Sequence, residues 1–143
     1  MNKFQLHPRL QQDCFVVGNF ALSQLLMMND SQYPWFILVP QRNDISEIYQ
    51  LNDCDRQQLL QESCLLAEKL IDIYQPDKLN IAAIGNLVPQ LHLHHVARFK
   101  TDKAWPAPIW GKFAACAYPE QDEAAHISRL QQSLLGYLGF RQI

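Results

Sequence analysis

Between Asp53 and Gln75 the apolar residues Leu59, Leu60, Leu66, Ala67, Leu70, Ile71 and Tyr74 recur at spacings of three, four and seven, which is one face of a helix. On either side the pattern is that of strands. Cys14–Phe20, Ser23–Met28 and Trp35–Val39 precede the helix, and Leu79–Ile84 and Leu91–Phe99 follow it. Asn29, Asp30, Ser31 and Gln32 are turn formers between two of these runs, and Gly85 to Pro89 separates the last two by hairpin length. Asn52 or Asp53 caps the helix, and Pro76 stops it because proline disfavours a helical residue before it. A second helix is expected over Glu120–Leu135, with Ile127, Leu130, Leu134 and Leu135 inward and Gly136 near its end. Strands clustered around one long helix predict an α+β fold: an antiparallel sheet of about five strands with two main helices.

A length of 143 residues, with no repeat and no Gly/Ser-rich linker, reads as a single domain spanning residues 1–143. The net charge of −2, without a local Lys/Arg cluster, offers no drive toward phosphate backbones or anionic membranes, so neither nucleic acid nor membrane is an expected partner. The N-terminal MNKFQLHPRLQQD lacks the apolar centre of a secretory signal, and runs such as PWFILVP are too short to span a bilayer. A cytoplasmic protein is the expectation. The four cysteines, Cys14, Cys54, Cys64 and Cys116, form no Cys-x-x-Cys pair and are read as reduced thiols, with no zinc site or disulfide framework.

Three of the five histidines fall within Gln90-Leu91-His92-Leu93-His94-His95-Val96-Ala97-Arg98. Strand alternation places Gln90, His92, His94, Val96 and Arg98 on one face, and Leu91, Leu93, His95, Ala97 and Phe99 on the other. Same-face neighbours lie roughly 7 Å apart along a strand, close enough for two imidazoles to converge on one small group. Three readings follow: metal ligands, a nucleophile with its helper, or ordinary hydrogen-bonded side chains. A metal needs a third ligand, which His95 faces away from supplying and which only the sequence-remote His7 or His126 would provide. His95 itself reads as a partly buried residue outside the site, and Arg98 as a surface or sheet-edge charge.

The segment NIAAIGNLVPQLHLHHVARF, Asn80 to Phe99, resembles the signature of the histidine-triad family, His-x-His-x-His-x-x after a polar loop. Aligned on Arg98, His94 takes the third histidine, His92 the central one and Gln90 the first, so this chain is similar to a bacterial branch carrying a Gln-x-His-x-His variant. NFALSQLLMMNDSQYPWFILVP looks like the family's substrate-entry hairpin, and AWPAPIWG supports the same branch; the likeness spans roughly residues 10 to 112.

The resemblance implies a nucleotide hydrolase or nucleotidyl transferase acting on a nucleoside phosphoramidate, a dinucleoside polyphosphate or a similar adduct through a covalent nucleotidyl-histidine. His92 would be the nucleophile and His94 its assistant. Asn86 and the amides of the Gly85 loop would hold phosphate oxygens, and Asn29 or Asp30 would sit near the ribose. Gln90 cannot titrate in the working range, so proton delivery by the first triad member is lost or moved elsewhere. No metal or organic cofactor is implied. A non-catalytic nucleotide sensor on the same fold stays open as the alternative. Homodimerisation is expected from the family's habit and from the apolar PWFILVP and AWPAPIW segments.

Overall fold

The computed structural model describes residues 3–143. Its order is α1 (Pro8–Asp13), β1 (Cys14–Asn19), β2 (Ser23–Met28), β3 (Trp35–Pro40), a 3-10 turn (Ile48–Gln50), α2 (Asp53–Tyr74), β4 (Lys78–Ala83), β5 (Leu93–Arg98), α3 (Asp122–Leu134) and β6 (Arg141–Gln142). The six strands form one antiparallel sheet in the order β4-β5-β3-β2-β1-β6. The expected α+β class and antiparallel sheet are therefore present, with one strand more than the periodicity indicated.

The long helix begins where its cap predicts: the Asn52 side chain accepts the Asp55 amide, and Asp53 and Asp55 place negative charge at the positive end of the helix dipole. Gln75 leaves the helix in a left-handed conformation before Pro76. Leu59, Leu66 and Leu70 from α2, with Leu130 and Leu134 from α3, pack on Val17, Leu25, Met27, Phe36, Leu38 and Leu93 of the sheet. Each such side chain contributes about 1.5–3 kcal/mol on burial. Buried Glu62 reaches from α2 to accept the amides of Leu22 and Ser23, tying the helix to the β1–β2 turn.

The opposite face carries no long helix. Leu6 and Leu10 from the N-terminal segment, with Val88 from the β4–β5 loop, cover Leu26, Ile37 and Val39, while Tyr33, Ala104 and Ile109 cover Val96. Loops and the short α1 thus make one face of the molecule, and α2 and α3 the other.

Two elements escaped the sequence pattern. α1 is only six residues long, and β6 is two. β6 docks where β1 has glycine: a Cβ on Gly18 would lie 2.5 Å from the Arg141 carbonyl oxygen and 2.6 Å from the Phe140 ring. β5 is also shorter than the expected Leu91–Phe99, because its ladder to β4 ends at Leu93 and the Leu91 amide donates instead to Ile45.

Arg98 departs from its expected place at the surface. It is 1% exposed, donates to both carboxylate oxygens of Asp102 at 2.8 and 3.0 Å and to Asn80 Oδ1 at 2.8 Å, and stacks over Tyr33 and Trp105. Fork-to-fork pairing and two aromatic faces satisfy a guanidinium whose charge alone argued for the surface. Asp102 also accepts the amides of Phe99, Ala104 and Trp105, so one carboxylate fixes the turn after β5. Burial pushes the Asp102 carboxyl up, but the Arg98 guanidinium and these amides outweigh it and hold it below the usual range.

Candidate active site

The sheet register places His94 opposite Ile37 and Ala82, on the loop-covered face, and His95 opposite Phe36 and Ile81, toward α2. His92 lies just before β5, and its ring meets that of His94 edge-on with centroids 4.8 Å apart. A cavity of about 450 Å³ opens at these two rings, walled by Asn86, Val88, Trp35 and Trp110 and by Arg9 and Asp13 of α1. The structure brings His92 and His94 together at this cavity, as expected, and turns His95 to the other face of the sheet.

Hydrogen-bond chemistry assigns the ring protons. Nδ1 of His92 lies 2.7 Å from the Gln90 carbonyl oxygen. A carbonyl only accepts, so Nδ1 carries the hydrogen and Nε2 keeps its lone pair. The Trp35 indole donates to Nδ1 of His94 at 2.9 Å, which places the proton of neutral His94 on Nε2. Burial lowers the pKa of His92, against the opposing pull of the Gln90 carbonyl, and the charge of nearby His7 lowers it further. Burial, then the charges of His92 and His95, lower His94 to about 3. Both rings are therefore neutral at neutral pH.

Gln90 sits at the head of this pair in an unexpected way. Its backbone carbonyl holds His92, whereas its side-chain amide turns to the N-terminal segment, accepting from the His7 amide and donating to the Gln5 carbonyl, both at 2.9 Å. Asn86 is exposed and shares the main cavity; Gly85 lines a small crevice beside it with Gln90 and His92. A Cβ at Gly85 would approach the Val88 carbonyl oxygen to 3.0 Å, so the loop turns tightly there.

Asn29 and Asp30 line a second cavity of about 350 Å³ that shares Arg9, Asp13, Met28, Trp35, Trp110 and Gly111 with the first. Their Oδ1 atoms are already engaged: Asn29 accepts the Tyr118 amide at 2.9 Å, and Asp30 accepts both the backbone and side-chain nitrogens of Gln32 at 3.0 Å. The segment after Trp110 is thus tied to Asn29 and Asp30 and lines the second cavity through Gly111, Phe113 and Ala115.

Arg9, Asp13 and Trp35 were not among the sequence candidates for the site. Pro8 at the first helical position, and Arg9 four residues before Asp13, are the signals that would have marked α1. Trp35 read only as a strand residue, because its bond to His94 joins side chains 59 positions apart. Among the described residues no three His, Cys, Asp or Glu side chains form a metal-binding group, and no helix is long and apolar enough to cross a membrane.

A six-stranded antiparallel sheet with two histidines at a loop-walled cavity defines a HIT-like fold, and comparison with known proteins agrees. The family model described as HIT domain matches residues 9–101. A histidine triad protein from Marinobacter aquaeolei VT8 is 46% identical, with 93% of this chain and 97% of that one covered at a TM-score of 0.90. Another from Bradyrhizobium japonicum is 42% identical over 92% and 98% at a TM-score of 0.90, and one from Sinorhizobium meliloti 1021 is 40% identical over 92% and 97% at 0.89. No curated protein matches the chain. The chain belongs to the histidine triad family, whose members generally bind nucleotides and act on nucleotide adducts.

Proposed function

We propose that the protein is a nucleotide hydrolase or nucleotidyl transferase in which His92 Nε2 attacks the α-phosphorus of a nucleotide adduct such as a nucleoside phosphoramidate or dinucleoside polyphosphate. The observation that carries this reading is the 2.7 Å bond from His92 Nδ1 to the Gln90 carbonyl, which leaves Nε2 as the basic atom of a ring lining the cavity. As the Nε2–P bond forms, the bond to the leaving group breaks; the leaving group takes the electron pair and a proton. Water then cleaves the nucleotidyl-histidine, releasing a nucleoside monophosphate and restoring the ring. In this reading the Nε2–H of neutral His94, which meets the Ile84 backbone, would turn to a phosphate oxygen, and Asn86 with the loop at Gly85 would supply further donors. Asn29 and Asp30 would hold the ribose in the second cavity.

Incubation with a labelled phosphoramidate or dinucleoside polyphosphate, followed by rapid quench, tests the assignment. A labelled adduct on His92, absent from His92→Ala, is expected; an adduct mapped to His95 would overturn it. Tight binding of AMP without turnover would favour the sensor reading. We read the protein also as a homodimer: the edge strand β4 leaves Ile81 48% exposed, an apolar group that a second copy would cover. Sedimentation as a monomer at micromolar concentration would count against this.

A further inference from the structure

Gln90 is bonded at three points, and the three belong to two different parts of the molecule. Its carbonyl fixes the His92 ring. Its side-chain amide bridges the His7 amide and the Gln5 carbonyl, two groups that an extended chain presents on the same side. A carboxamide fits this task because its donor and acceptor lie side by side in one plane. An imidazole also has one donor and one acceptor, but they diverge from opposite sides of the ring.

The bridged segment runs directly into α1. The His7 ring caps the helix by accepting the Arg9 amide at 3.0 Å, and Leu6 and Leu10 are buried beside Val88. Asp13 then takes Arg9 Nε at 2.9 Å, which orients the guanidinium and leaves its two terminal amino groups for a ligand. Arg9 lines both cavities, the one at His92 and His94 and the one at Asn29 and Asp30. It is a cation at the seam between them, paired there with Asp13, which lines both cavities as well.

We propose that Gln90 is a positioning residue that clamps the N-terminal segment to the nucleophile loop, and that the clamp sets Arg9 as the contact for a second phosphate. The substrates selected are nucleotide adducts whose leaving group begins with a phosphate, in preference to those with a neutral amine. This rests on the reading of the cavity as a nucleotide site. In it the first triad position has exchanged a titrating ring for a structural fork, and the selectivity has moved to α1.

The test compares ADP with AMP by calorimetry, which needs no turnover. ADP should bind the wild-type chain about tenfold tighter than AMP, the scale of one charge-assisted contact. Arg9→Gln should bring that ratio near unity, and Arg9→Lys should restore part of it. Gln90→Ala and Gln90→His should both lose the ratio and also lose amide-exchange protection across residues 5–13, which Arg9→Gln keeps. Should the Gln90 variants fail to fold, the two Arg9 variants decide the outcome. A wild-type ratio near unity overturns the proposal, as does a ratio that survives in Arg9→Gln. A Gln90→His protein that keeps the ratio and releases AMP faster from amine adducts overturns it in favour of a proton-delivery role. Absence of AMP release by the wild type, with the ratio intact, would remove the hydrolase reading and leave this one standing; failure to bind either nucleotide would remove both.

Discussion

His94 and His95 are neighbours in sequence and lie on opposite faces of one strand, and their surroundings differ in nearly every respect. His94 meets Trp35, Trp110 and His92 at the wall of a cavity. His95 is wholly buried between the sheet and α2: its Nδ1–H donates to the Leu93 carbonyl at 3.1 Å, and its Nε2 accepts the Ser63 hydroxyl at 2.7 Å. Burial lowers His95 to about 4 even though the Leu93 carbonyl acts against it. Both rings are neutral and hydrogen bonded, so neither neutrality nor a perturbed pKa distinguishes the ring at the cavity from the enclosed one. Access does. The helix-packed face closes around its imidazole, whereas the loop-covered face leaves an opening beside its own.

The sharpest way to break that contrast is to remove the proposed nucleophile. His92→Ala should lower AMP release on the order of 10³-fold or more, with nucleotide affinity and melting temperature little changed, because the reacting atom goes while the phosphate donors stay. Single-turnover rates and a binding isotherm measure this; full activity in the variant would defeat the assignment. His94→Ala should cost about 10²–10⁴-fold, as loss of one oriented donor and its charge stabilisation does.

Acid should act on both faces at once. An unfolded histidine binds its proton near pH 6.5, whereas His94 and His95 bind theirs only at about 3 and about 4 in the folded chain. The unfolded state therefore holds more protons over the interval between. The stability these rings contribute is present above pH 6.5 and is lost as pH falls toward the folded values, by roughly 1.4 kcal/mol per pH unit for each ring. Denaturant midpoints taken from pH 7 to pH 4.5 should fall, and His95→Phe should flatten the slope; an unchanged slope would show that His95 does not contribute to it.

The smallest effect separates the faces most cleanly. His95→Ala should cost about 1–3 kcal/mol of stability, since the Ser63 hydroxyl is left buried without its acceptor, while kcat changes less than about threefold. Adding Ser63→Ala should recover part of that loss in a double-mutant cycle. A fall in kcat matching that of His94→Ala would erase the distinction between the faces.

Local pattern was enough to read what local pattern controls. The 3.6-residue period placed α2 within a residue of its observed ends, and alternation separated His94 from His95. What escaped depends on partners distant in sequence. Six residues of α1 and two of β6 are too short to show a period, and both are held by contacts with far parts of the chain. Arg98 faces as alternation says but is buried, because the loop carrying Asp102 folds back over it. The Gln90 amide could not be foreseen, since its partners lie 83 and 85 positions away.

The bond from the Trp35 indole to His94 has an optical consequence. Two of the three tryptophans, Trp35 and Trp110, stand at the cavity, with ring centroids 5.7 and 5.4 Å from His94. An imidazole that gains a proton beside an indole quenches its emission, and a ligand that displaces water from the indole shifts the emission to shorter wavelength. Intrinsic fluorescence should therefore report occupancy and protonation at this wall directly, with no label attached, while Trp105, stacked on Arg98 away from the cavity, supplies a constant background.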